Sequence, residues 1–124
     1  MKKLIYFLPS IIWMCFIFYL SSQSTIGIGQ TKTERFLILK TFHLIEYATL
    51  AIFLLFAFRR YLPSALFAYL YALTDELHQR FVPGREGKFQ DTLIDLLGIT
   101  LGLIFIKYFL IKLYSKLPNK FKSL

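Results

Sequence analysis

Four apolar blocks separated by polar breaks set the pattern of this chain: Leu4–Leu20, Phe36–Phe58, Tyr61–Leu73 and Thr92–Tyr114. About 20 apolar residues in helical form cross the hydrocarbon of a bilayer. The first, second and fourth blocks meet that length as they stand. The third is short and spans only if the helix continues through Thr74-Asp75-Glu76-Leu77-His78-Gln79. Pro63 suits a helix start. Arg59-Arg60 and Pro83-Gly84 are stop and turn signals. The pattern predicts an all-α integral membrane four-helix bundle, with transmembrane helices over 4–20, 36–58, 61–79 and 92–114. It is one domain, 1–124, with a basic tail over 115–124. Ser21–Arg35 reads as a polar loop. The first block also has the position of a signal peptide, but Ser21-Ser22-Gln23-Ser24 offers no small-residue cleavage site, so an uncleaved helix is the expectation.

Composition agrees. Of 124 residues, 56% are hydrophobic, against about 45–50% in a soluble domain. The net charge of +8 is not a nucleic-acid signature here, because Lys and Arg flank the apolar blocks or fill the tail. That distribution encodes topology and suits anionic membrane lipids. Lys2, Lys3, Arg59, Arg60, Lys116, Lys120 and Lys122 share one side; Lys32, Arg35, Arg80, Arg85 and Lys88 share the other. The bias predicts a plasma-membrane protein with both termini cytoplasmic. Cys15 is the single cysteine and lies in an apolar run, which excludes an intrachain disulfide and gives no basis for a Cys-based metal site.

The chemistry gathers at one end of the bundle. Lys40, His43 and Glu46 fall in the first half of helix two, Asp75, Glu76, His78 and Gln79 in the last turns of helix three, and Asp91 and Asp95 at the start of helix four. Whatever the orientation, all lie in one leaflet, and by the charge rule it is the outer one. Lys40, His43 and Tyr47 share a stripe, with Glu46 beside it. Asp75, His78 and Gln79 share another, with Glu76 adjacent. Asp91, Asp95, Gly98 and Gly102 make a narrow third face, in which Gly98-x-x-x-Gly102 lets a neighbouring helix approach. A charged group in hydrocarbon costs about 3 kcal/mol or more, so the simplest arrangement turns these faces inward around an outward-opening polar pocket, roofed by the Arg85 loop. The types present in His43, Glu46, Asp75, Glu76, His78 and Asp91 suit metal ligation, but no H-E-x-x-H signature occurs. The sequence assigns neither metal nor cofactor.

These residues carry a resemblance to the VanZ-like family. The match includes Trp13, Ser21-Ser22-Gln23, Lys40-x-x-His43-x-x-Glu46-Tyr47-x-x-Leu50, and above all Asp75-Glu76-Leu77-His78-Gln79-Arg80-Phe81-Val82-Pro83-Gly84-Arg85, continuing to Asp91, Gly98 and Gly102. It covers Trp13–Gly102 in the family's order. Asp95 departs from it, standing where the family more often has Asn. The resemblance implies a small bacterial multi-pass membrane protein. The family's name-giving member is linked to teicoplanin resistance without remodelling the peptidoglycan precursor.

Three functions follow as expectations. In the leading one, the pocket holds a membrane lipid, a lipid-linked cell-wall component or part of a lipoglycopeptide, with an accessory effect on glycopeptide susceptibility. Mixed carboxylate, imidazole and guanidinium groups suit an amide- and phosphate-rich ligand. In the second, the protein is a membrane-embedded hydrolase or transferase with Glu76 or Asp75 as general base, His78 as acid–base partner and Arg85 stabilising charge. No nucleophile elbow or phosphate loop accompanies that set. In the third, the polar groups only assemble the bundle or hold a partner, a second copy included. Arg85 is open to two roles, a cation held by lipid head groups or a clamp on a ligand anion.

Overall fold

Helix α1 (Leu8–Ser21) is entered through a 3-10 turn at Leu4–Phe7 and has Pro9 in its first turn, where a missing N–H leaves no helical bond unmade. It is followed by α2 (Lys32–Phe58), α3 (Tyr61–Gln79), α4 (Thr92–Ser115) and a one-turn α5 (Asn119–Lys122) in a computed structural model that describes residues 3–122. The four long helices are the expected four. Three of them, with their flanking turns, are long and apolar enough to cross a membrane: Leu4–Ser21, Lys32–Phe58 and Phe89–Ser115. At about 1.5 Å per residue, α3 reaches about 28 Å. Its last turns are too polar to stand in lipid alone.

Among the boundaries that flank the loops, one differs from the sequence reading by more than a residue. Helix α2 starts at Lys32, four residues before the apolar block, and shortens the first loop. The cause is local: Thr31 in extended backbone caps the helix, its Oγ1 accepting from Glu34 N–H at 3.1 Å, while Glu34 Oε2 accepts from Gln30 N–H at 2.8 Å. Thr31-Lys32-Thr33-Glu34 is the S/T-x-x-E signature of such a start. At the other end Arg59 takes a left-handed conformation (φ 59°) and its N–H returns to Leu55 O. Two residues then separate α2 from α3, so the pair runs antiparallel. Part of the basic tail, Asn119–Lys122, folds into α5, with Lys122 O accepting from Tyr114 Oη at 2.6 Å. Met1, Lys2, Ser123 and Leu124 lie outside the described residues.

Apolar side chains cover much of the outside, among them Leu66, Phe67, Leu97 and Phe105, whereas Ser10, Glu46, Asp75, Glu76 and Asp95 are buried. This distribution fits a lipid solvent, in which polar groups must be satisfied within the bundle. Helices α2 and α4 make the closest crossing. A Cβ at Gly98 would lie 2.5 Å from Leu44 O, and one at Gly102 2.5 Å from Ala48 O. The stripe of small residues therefore sets the α2–α4 distance. The apolar half of the core, including Leu54, Leu55, Ala68 and Ile106, fills the end near Arg59. The polar half fills the opposite end.

Candidate functional site

Both loops joining the helices at the polar end are tied together. Thr25, fully buried, donates from Oγ1 to Gly84 O at 2.5 Å. Gly84 has φ +82°, and a Cβ there would meet Ile26 and Thr25 at 3.0–3.3 Å, so the Pro83-Gly84 turn is shaped for this contact. The turn delivers Arg85 onto the end of α1, where its Nε donates to Gln23 O (3.1 Å) and its Nη2 to Leu20 O (2.9 Å). Arg85 thus adds donors to carbonyls at and just beyond the C-terminus of α1, of which Leu20 O also accepts from Gln23 N–H at 3.1 Å, while roofing the space below. Burial pushes its guanidinium below its ordinary value, with Asp75, Glu46 and Glu76 pulling the other way. It stays charged at any working pH.

Beneath this roof the polar faces of α2, α3 and α4 converge, with a contribution from α1. Asp75 is a fully employed carboxylate. It accepts from Ser21 Oγ of α1, from Tyr47 Oη of α2 at 2.9 Å and from Gln79 Nε2 at 3.3 Å, and Gln79 Nε2 also donates to Ser21 Oγ at 3.1 Å. Glu76 is the opposite case. It is 1% exposed, and neither carboxylate oxygen has a hydrogen-bond partner among the described residues. Its Oε1 lies 4.0 Å from His43 Nδ1. The same Nδ1 contacts Asp95 Oδ1 at 2.9 Å, leaving Asp95 Oδ2 buried and without a hydrogen-bond partner among the described residues. His43 Nε2 faces Gln79 Nε2 at 3.4 Å. Glu46 is buried on the α1 side of His43.

Above the carboxylates is a cavity of about 290 Å³, lined by Lys32, Arg35, Lys40, His43, Gln79 and Arg85 among others. A second, of about 230 Å³, adjoins it at Leu39, His43 and Arg85 and reaches Ser21 and Glu46. Helix α2 is about 40 Å long and outreaches α3, so its first turns stand up as one wall of the larger cavity. Lys40 Nζ bridges to Asp91 Oδ2 at 2.7 Å across the rim.

The structure therefore gathers His43, Glu46, Tyr47, Asp75, Glu76, Gln79, Arg85 and Asp95 around one polar interior, with Lys40 and Asp91 at its mouth. His78 is not brought there. Its ring stacks on Phe18 of α1 at 4.4 Å, and its Nδ1 has no hydrogen-bond partner among the described residues. At about 100° per residue, Glu76 and His78 point to nearly opposite sides of α3, so the sequence expectation of a Glu76–His78 acid–base pair lacks its geometry. Three further residues of this region, Lys32, Arg35 and Thr25, escaped the sequence reading of the pocket, and Ser21 enters that reading only through the family resemblance. The Thr31–Glu34 cap places the first two. No spacing rule places Ser21 or Thr25, which meet their partners across 54 and 59 residues of chain.

The VanZ/LLP1 family model matches residues 6–112. No curated protein and no solved structure matches the chain. The match takes in three of the four long helices whole, most of α4 and every residue of the polar interior, and the chain belongs to the VanZ/LLP1 family.

Proposed function

We propose that this protein binds the anionic head group of an envelope lipid in its polar cavity. On this reading it sits in a bacterial plasma membrane with both termini cytoplasmic and the cavity facing outward, and it acts as an accessory in glycopeptide (teicoplanin) susceptibility. One observation carries the reading: four cations, Lys32, Arg35, Lys40 and Arg85, line the cavity above His43 and Gln79 and outnumber its two acids, Glu86 and the Lys40 partner Asp91. Guanidinium and ammonium groups at a membrane rim favour phosphate or carboxylate. The volume of about 290 Å³ lies at the small end of ligand pockets. It admits a phosphate or diphosphate head group and excludes a whole glycopeptide, so an effect on the drug runs through the lipid. The test is teicoplanin and vancomycin susceptibility in a host lacking the protein, complemented with wild type or with Lys32→Gln/Arg35→Gln at equal membrane abundance. Selective loss of teicoplanin tolerance in the variant is expected. Identical tolerance for the two overturns the reading.

A further inference from the structure

The interior holds more acidic side chains than basic partners. Glu46, Asp75, Glu76 and Asp95 are all buried. The cations reaching them are Arg85, half-buried in the roof, and His43 when protonated; Lys40 is engaged by Asp91. Asp75 has three donors. Glu76 and Asp95 together present three oxygens that are fully buried and without hydrogen-bond partners among the described residues. An unpaired buried polar atom costs about 1–3 kcal/mol, more if charged, so three in one place are expensive unless something else occupies them.

Their arrangement suits a cation. One donor atom each from His43, Glu76 and Asp95 lies within 4.8 Å of the others. From His43 Nδ1 the spacing is 2.9 Å to Asp95 Oδ1 and 4.0 Å to Glu76 Oε1. An ion bound to nitrogen and oxygen at about 2.0–2.2 Å sets neighbouring tetrahedral ligands about 3.3 Å apart, midway between those two separations. A small rotation of Glu76 toward His43 closes the set. We propose that His43, Glu76 and Asp95 bind a divalent first-row transition ion, Zn²⁺ or Mn²⁺. One imidazole with two carboxylates suits these ions better than the all-oxygen shells of Ca²⁺ and Mg²⁺. Three protein ligands leave a coordination position, and His43 also lines the cavity. The ion offsets the carboxylates and adds positive charge to the cavity floor. The ligands come from three helices, α2, α3 and α4, so the ion also cross-links the polar end of the bundle. This inference stands on the cluster itself and is independent of any lipid ligand.

The test uses the full chain in detergent, in a Cys15→Ser background to remove the thiol, stripped with chelator and desalted. Metal content after equilibration with Zn²⁺ or Mn²⁺, titration calorimetry and the thermal unfolding midpoint are measured for wild type, Glu76→Gln, Asp95→Asn and His78→Gln. Expected are one ion per wild-type chain and an unfolding midpoint raised by the ion, since a ligand of the folded state stabilises it. Affinity falls at least 10-fold in Glu76→Gln and Asp95→Asn and is retained in His78→Gln. A monodisperse, folded wild type that takes up no stoichiometric ion overturns the proposal. So does equal affinity in wild type, Glu76→Gln and Asp95→Asn. Because wild-type stoichiometry is read directly, the outcome does not depend on the variants folding.

Discussion

Tyr47 Oη donates to Asp75 Oδ2 at 2.9 Å and joins α2 to α3 at a carboxylate that Ser21 of α1 also holds. Asp75 is thereby the node at which three helices meet, and its neighbour Glu76 has none of these partners. Adjacent acids in one motif have separate tasks: Asp75 builds the interior, and Glu76 remains open for a ligand. Tyr47→Phe removes one donor from a buried carboxylate and is expected to lower stability by about 1.5–3 kcal/mol, read as a lower unfolding midpoint in detergent. Unchanged stability removes Asp75 from its structural role.

Gly98 and Gly102 hold α2 and α4 close enough that an added methyl meets backbone, not a yielding side chain. Gly98→Ala or Gly102→Ala is expected to cost about 1–3 kcal/mol through overpacking, and the double substitution more. Thermal unfolding of the purified variants checks this. A neutral result at both positions shows that the helices separate without penalty.

Arg85 uses two different nitrogens on two different carbonyls, a geometry that the lysine ammonium does not reproduce. Arg85→Lys keeps the charge yet is expected to lower stability by about 1–3 kcal/mol through the two lost carbonyl hydrogen bonds. Its loop becomes easier to cleave, measured by limited proteolysis after Arg80 or Lys88. Protection equal to wild type shows that charge alone holds the roof.

The Lys40–Asp91 bridge is partly exposed and adds about 0–1 kcal/mol to stability. Its larger effect is on the rim. Lys40→Met removes a cation from the mouth of the cavity and is expected to weaken retention of anionic lipid several-fold with little change in unfolding midpoint. Native mass spectrometry with phosphatidylglycerol, with free inorganic phosphate as competitor, separates a lipid requirement from simple anion binding. Equal retention by wild type and variant counts against a ligand at this rim.

Topology gives a further test. With Cys15 replaced, Ser24→Cys is expected to react with an impermeant maleimide in intact cells, and Lys116→Cys only after permeabilisation. Both positions are exposed on the protein. Labelling of Lys116→Cys from outside reverses the orientation and turns the cavity toward the cytoplasm.

The sequence by itself determined the class and the frame. Apolar block length fixed four helices, Arg59-Arg60 and Pro83-Gly84 fixed their breaks, and helical period fixed which residues share a stripe, because these properties depend on neighbours a few positions apart. The shared position of His43, Asp75 and Asp95 in one half of the bundle followed from chain direction alone. Tertiary structure decided the partners. Asp95 was absent from the ligand types singled out along the chain, yet the glycine-paved crossing of α4 on α2 brings it to His43 across 52 residues. His78 was grouped with Asp75 and Gln79 by spacing, yet a rotation of about 100° from Gln79 turns it onto Phe18. Asp75 and Glu76 look alike in sequence and differ only in what stands opposite them. A stripe records the direction a side chain leaves its own helix; which helix lies there, and how close, is set by packing between segments remote in the chain.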